Sequence, residues 1–124
     1  EAKAICRKRT GVWKEECYFR LAEEIAAKGN ILLGASQCDQ ARRFRNNCFS
    51  HMLSASPTGR EDMFQKRKLY TNLGNWPKFD KVLAAVEDGV KKDLLLFVLG
   101  LDEPKYVESL CKRIETKEFK RRCR

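Results

Sequence analysis

The chain has 124 residues, 43% of them hydrophobic and 35% charged, with a net charge of +9. That length fits one domain able to bury roughly two-thirds of the surface its unfolded chain exposes, and the composition excludes both a disordered chain and a membrane-embedded one. The longest apolar run, residues 94–99, falls short of the about 20 residues needed to span a bilayer.

Residues 12–28 carry apolar side chains at Val12, Trp13, Cys17, Leu21, Ile25 and Ala26, a helical stripe, with Gly29-Asn30 as its stop. Residues 31–34 read as an apolar connector, and Ser36 as the N-cap of the next helix. A further helix runs through Phe44, Cys48, Phe49, Met52 and Leu53 to the loop at residues 56–59. A helix over about residues 60–73 brings Met63, Lys66, Arg67 and Tyr70 together, and Gly74-Asn75-Trp76-Pro77 breaks it. The longest helix is expected over residues 78–99, since Phe79, Leu83, Val86, Val90, Leu94 and Phe97 step by three or four. Gly89 lies inside it, at a cost of about 1 kcal/mol or as a point of close packing. The last hairpin is expected to start near Asp102-Glu103-Pro104. No segment alternates as a strand would.

The cysteines form a repeat. Cys6, Cys17, Cys38, Cys48, Cys111 and Cys123 fall into pairs eleven, ten and twelve positions apart. An aromatic stands four residues before the second cysteine of each pair (Trp13, Phe44, Phe119), and a basic residue three before it. On a helix, positions four apart share a face, so the aromatic and the cysteine point the same way, toward a partner. The first cysteine of a pair cannot lie on the same straight helix, which would carry it about 15–18 Å away, whereas a disulfide needs Cα atoms within roughly 7 Å. The chain must therefore turn back within each pair. Thr10-Gly11 and residues 115–117 offer turns, while residues 39–47 contain neither Gly nor Pro. Six cysteines allow 15 pairings, and the repeat favours 6–17, 38–48 and 111–123. Without Cys-x-x-Cys, zinc and thioredoxin-like chemistry lack their motif, so structural disulfides are the reading of choice. No metal and no cofactor is expected.

The stretch Lys14-Glu15-Glu16-Cys17-Tyr18-Phe19-Arg20-Leu21-Ala22 loosely resembles the Cys-x(9–11)-Cys helical repeats of exported or lipid-anchored bacterial and archaeal proteins. The resemblance implies an exported helical scaffold and brings no active-site residues. The chain opens with Glu1-Ala2-Lys3-Ala4 rather than a leader, so for an exported protein the leader is expected to have been removed. The expected fold is all-α: a small helical bundle of disulfide-stapled helical hairpins in one domain over residues 1–124. Cys modules occupy about residues 4–22, 36–53 and 109–124, with a Cys-free helical insert over about residues 60–101.

Charge is unevenly placed. Residues 1–60 hold 11 Lys/Arg against 6 Asp/Glu, residues 61–104 hold 7 against 8, and residues 105–124 hold 8 against 3. Basic ends favour anionic partners. Catalysis finds little support. His51 stands alone between Ser50 and Met52, where adjacent helical residues diverge, and Asp39 would have to reach it from the preceding helix. Glu15-Glu16, Glu23-Glu24 and Glu61-Asp62 read as exposed helix faces rather than a glycosidase pair. Clusters such as Arg42, Arg43 and Arg45 around Phe44 suit a phosphate backbone, yet the aromatics are tied to the cysteine repeat, and a nucleic-acid partner is disfavoured. The expected function is that of a secreted or periplasmic binding or scaffold module: an inhibitor, an immunity-like factor or an effector. It would act on a protein partner of acidic character or on an anionic surface. A small secreted hydrolase such as a glycosidase, or a nucleic-acid binder, is the alternative. Trp76, Lys120, Arg121, Arg122 and Arg124 are the expected contact residues.

Overall fold

A computed structural model describes residues 2–123, with side chains from Ile5 onward, and among these residues the fold is helical throughout. The three disulfides are those of the repeat: Cys6–Cys17, Cys38–Cys48 and Cys111–Cys123, with Cα atoms 5.4, 5.4 and 5.8 Å apart. Each closes a short loop, worth about 2.8 kcal/mol in the loop-entropy account. No described helix is long and apolar enough to cross a membrane. The chain divides into two compact units, one up to Gly59 and one from Arg60.

The first unit contains α1 (Ala2–Arg7), α2 (Gly11–Ala27), α3 (Ile31–Gln40), a 3-10 turn at Arg42–Phe44 and α4 (Arg45–Ala55). Gly11, at φ 57°, opens α2 after the first turn. Gly29, at φ 89°, closes it, as the Gly29-Asn30 stop requires. Residues 31–34 are not a connector. The Asn30 side chain accepts the Leu33 amide at 3.1 Å and starts α3 there, while Ser36 lies inside the helix and donates to the Leu33 carbonyl at 2.7 Å. The second module, lacking Gly and Pro, turns through Arg42 at φ 44°. That left-handed backbone costs a non-glycine residue about 1–2 kcal/mol.

The core face of α2 is Tyr18, Ala22 and Ala26, so of the expected stripe only Ala26 is fully buried. Leu21 and Ile25 are half-buried, and Val12 and Trp13 are exposed. The two alanines admit α3 at close range. A Cβ on Gly34 would stand 2.7 Å from the Met52 sulfur and 3.4 Å from the Ala22 carbonyl oxygen. Phe49, Met52 and Leu53 of α4 complete this core. Gly34→Val is expected to overpack the site and destabilise the protein by about 1–3 kcal/mol, read as a lower urea midpoint.

The second unit contains α5 (Gly59–Thr71), which begins at the boundary, α6 (Trp76–Ala84), α7 (Gly89–Asp102), a 3-10 turn at Pro104–Tyr106, α8 (Val107–Cys111) and α9 (Lys117–Arg122). The single helix expected over residues 78–99 is two. Asp88 accepts the amides of Val90 and Lys91 at 3.0 and 3.1 Å, so a cap interrupts the apolar stripe and Gly89 becomes the first residue of α7. The last hairpin starts at Pro104, near where it is expected. Asp102 ends α7 and pairs with Lys66 at 2.9 Å, and Pro104 begins the 3-10 turn. Residues 93–100 are buried all round α7.

Asp62 corrects another expectation. It is buried and pairs with Lys91 at 3.1 Å, joining α5 to α7. Asp93, fully buried on α7, accepts the Glu115 amide at 3.2 Å and the Thr116 amide at 2.7 Å. Its carboxylate thus supplies the partners of the α8–α9 turn, which has no glycine. Phe119 of α9 is buried with its ring centroid 5.6 Å from that of Phe97. Asp93→Ala strands those amides, and we expect a loss of about 2–3 kcal/mol in denaturant unfolding.

Candidate functional site

The repeated aromatics meet three different environments. Trp13 is 66% exposed, Phe44 is half-buried in the 3-10 turn, and Phe119 is fully buried. Only Trp13 and Cys17 share a helix face in the simple sense of the repeat; Phe44 precedes α4, and Cys123 caps α9.

Trp76, the first residue of α6, is half-buried. Its ring meets Phe79 edge-on at 5.1 Å and Tyr106 at 5.9 Å. The Arg113 guanidinium covers it at 4.4 Å from the ring centroid. Arg113 is held in turn by Asp80, through bonds of 2.7 and 3.2 Å, and by the Ser109 carbonyl at 2.7 Å. The indole is thereby engaged inside the second unit by a cation of the third Cys module. The hydrogen bonds from Arg113 hold the Asp80 carboxyl below its ordinary range.

The remaining predicted contact residues divide by what they touch. Lys120 and Arg121 are exposed on α9, with Lys117 and Lys112 exposed nearby in sequence. Arg122 is half-buried, donates to the Glu118 carbonyl at 2.9 Å and lies 5.6 Å from the Phe119 centroid. Arg124 lies outside the described residues.

In the first unit, α2 and α4 flank an open groove of about 660 Å³. Glu16, Phe19, Arg20, Glu23 and Glu24 contribute from α2, with Phe44 and His51 opposite. His51 Nδ1 is 3.1 Å from Glu23 Oε2, and the His51 ring meets Phe19 edge-on at 5.0 Å. Asp39 accepts from Arg45 Nε at 3.0 Å, and it is Glu23 that meets the His51 ring nitrogen. The residue that reaches His51 lies 28 positions away, and the adjacency of Glu23-Glu24 was its only trace in the sequence. Arg20 and Glu16 pair at 3.3 Å, as their i,i+4 spacing implies. Glu15 receives the Arg43 backbone amide at 3.1 Å and its Nε at 2.9 Å, and these bonds lower its pKa.

Searched against protein-family models, curated proteins and solved structures, the chain matches none.

The depressed pKa of Asp80 has a fixed sign. The folded state favours the charged carboxylate, so the stabilisation is complete above the unfolded value of roughly 4 and is lost as pH falls through the lower folded value. Asp80→Asn should flatten that part of the acid-unfolding profile by less than about 1 kcal/mol, because the pair is solvent-exposed. It should also shift Trp76 emission by loosening Arg113. Wild-type acid behaviour and emission in the variant would rule out this clamp.

Proposed function

We propose that this protein is a non-enzymatic binding module of an extracytoplasmic compartment, secreted or periplasmic, that docks an acidic protein partner on the cations of its third disulfide hairpin. Three disulfides suit an oxidising environment. The observation that carries the reading is the division of labour among basic residues near Cys111–Cys123. Arg113 and Arg122 turn onto the protein's own aromatic rings and carbonyls, whereas Lys112, Lys117, Lys120 and Arg121 project into solvent. The disulfide and the Asp93 contacts fix the backbone beneath them. A partner would meet a preorganised cationic face and spend little on ordering it.

Attraction between such exposed charges acts over about 8 Å at physiological salt and mainly accelerates association. Pull-down from the native extracytoplasmic extract at low and high salt identifies the partner. The triple variant K117Q/K120Q/R121Q keeps Phe119 and Cys123, so its fold should survive. It is expected to bind that partner roughly tenfold more weakly and with a flatter salt dependence. Salt-insensitive capture by wild type and variant alike would move the interface elsewhere. Turnover of a glycan, peptide or nucleic-acid substrate that His51→Ala abolished would replace the binding reading with a hydrolase.

A further inference from the structure

The tip of the first disulfide hairpin carries a second surface, independent of the α9 reading. Ile5 in the last turn of α1, and Val12 and Trp13 in the first turn of α2, are 52%, 38% and 66% exposed. A folded domain exposes single apolar residues routinely, but Val12 and Trp13 stand side by side just after one short turn, with Ile5 beside Cys6 at its base and cations on both sides in sequence. Arg7, Lys8 and Arg9 are exposed and Lys14 half-exposed. Lys8, Arg9, Thr10 and Trp13 line one open cavity of about 410 Å³. Cys6–Cys17 fixes the two helices at the base of this tip, with Trp13 four residues before Cys17 and so on the face of α2 turned toward α1.

We propose that this tip docks on an anionic phospholipid membrane. The chemistry is complementary in two layers. An indole favours the boundary between headgroups and hydrocarbon, and Val12, its neighbour in the first turn of α2, adds apolar contact. Lys8 and Arg9 line the same cavity as Trp13, with Arg7 and Lys14 next in sequence, where headgroup phosphates would meet them. The small apolar area also favours a bilayer over a protein. A few exposed apolar side chains are far less than the about 800 Å² per partner of a standard protein interface, but they suffice for shallow insertion reinforced by charge. Thr10, whose side chain makes no capping hydrogen bond to α2, also lines this cavity.

The test uses the full chain with its disulfides intact. It is sedimented with vesicles of phosphatidylcholine alone and of phosphatidylcholine with phosphatidylglycerol, at matched ionic strength. Binding is expected only to the anionic vesicles. K8Q/R9Q should lower the partition coefficient by roughly 30-fold, the effect of two interfacial cations, and Trp13→Ala by at least several-fold. K117Q/K120Q/R121Q should leave it near wild type. In a Trp76→Phe background, Trp13 is the sole indole, and its emission should shift to the blue on the anionic vesicles. Circular dichroism checks the fold of each variant, and sedimentation of the unsubstituted chain stands on its own should Trp76→Phe unfold. Equal binding to neutral vesicles, no binding to either, or loss on the α9 variant in place of K8Q/R9Q and Trp13→Ala would overturn the proposal. So would a Trp13 shift produced by inorganic phosphate without vesicle binding, which would assign the cavity to a soluble anion. None of these outcomes bears on the acidic partner of α9, which the pull-down tests separately.

Discussion

Each cysteine must find its partner ten to twelve residues away with Cα atoms under 6 Å apart, and that constraint shapes everything around it. It forbids a continuous helix across any module and forces a reversal at residues 8–10, 41–44 and 112–116. The three reversals are made in three ways. The first uses glycine. The second drives Arg42 into a left-handed conformation, with Cys38–Cys48 closing the loop around it and Arg43 anchored to Glu15. The third recruits a carboxylate from another helix, Asp93. A common sequence spacing thus fixes a common geometry without fixing the local chemistry that satisfies it.

The charged residues show a comparable split between internal and external duty. Asp62, Asp93 and Asp80 hold α5, the α8–α9 turn and Arg113 in place within the second unit. The buried carboxylates of Asp62 and Asp93 require such partners, since an unpaired one would carry a large desolvation cost. The cations these carboxylates do not hold, such as Lys120 and Arg121, remain at the surface. Net charge therefore says less about recognition than the list of cations that have no structural task.

Fold class, disulfide pairing and most helix limits were legible because they rest on local signals: cysteine spacing, Gly29-Asn30, and the loop before α5. Three features were not. The core face of α2 was legible only at Ala26: Tyr18 and Ala22 were passed over for larger apolar residues, although the value of a small residue lies in what it allows to approach, here Gly34 of α3. The break at Asp88 was hidden by an apolar stripe that happens to keep its phase on both sides of the cap. His51–Glu23 and Asp93 with the 115–116 amides span 22 to 28 positions, and no spacing rule reaches so far. The candidate site was legible in kind, as exposed basic residues beside a cysteine. The task given to Trp76 was not, because Arg113 occupies its ring only once α6 and the turn after α8 are together.

The direction in which the Asp93 contact runs has a consequence for assembly. The carboxylate precedes the amides it receives by 22 and 23 residues, so it is already synthesised when they appear. A chain emerging from its amino end completes the first two hairpins from contiguous sequence, by loop closures of the 10–100 ns class. It then presents α7 as a waiting template for the third. Each of the first two pairs can be brought together by local chain alone, whereas the turn of the third also needs the Asp93 carboxylate of α7 in place. A circular permutant that placed the last hairpin ahead of α7 would have to make that turn before its carboxylate exists.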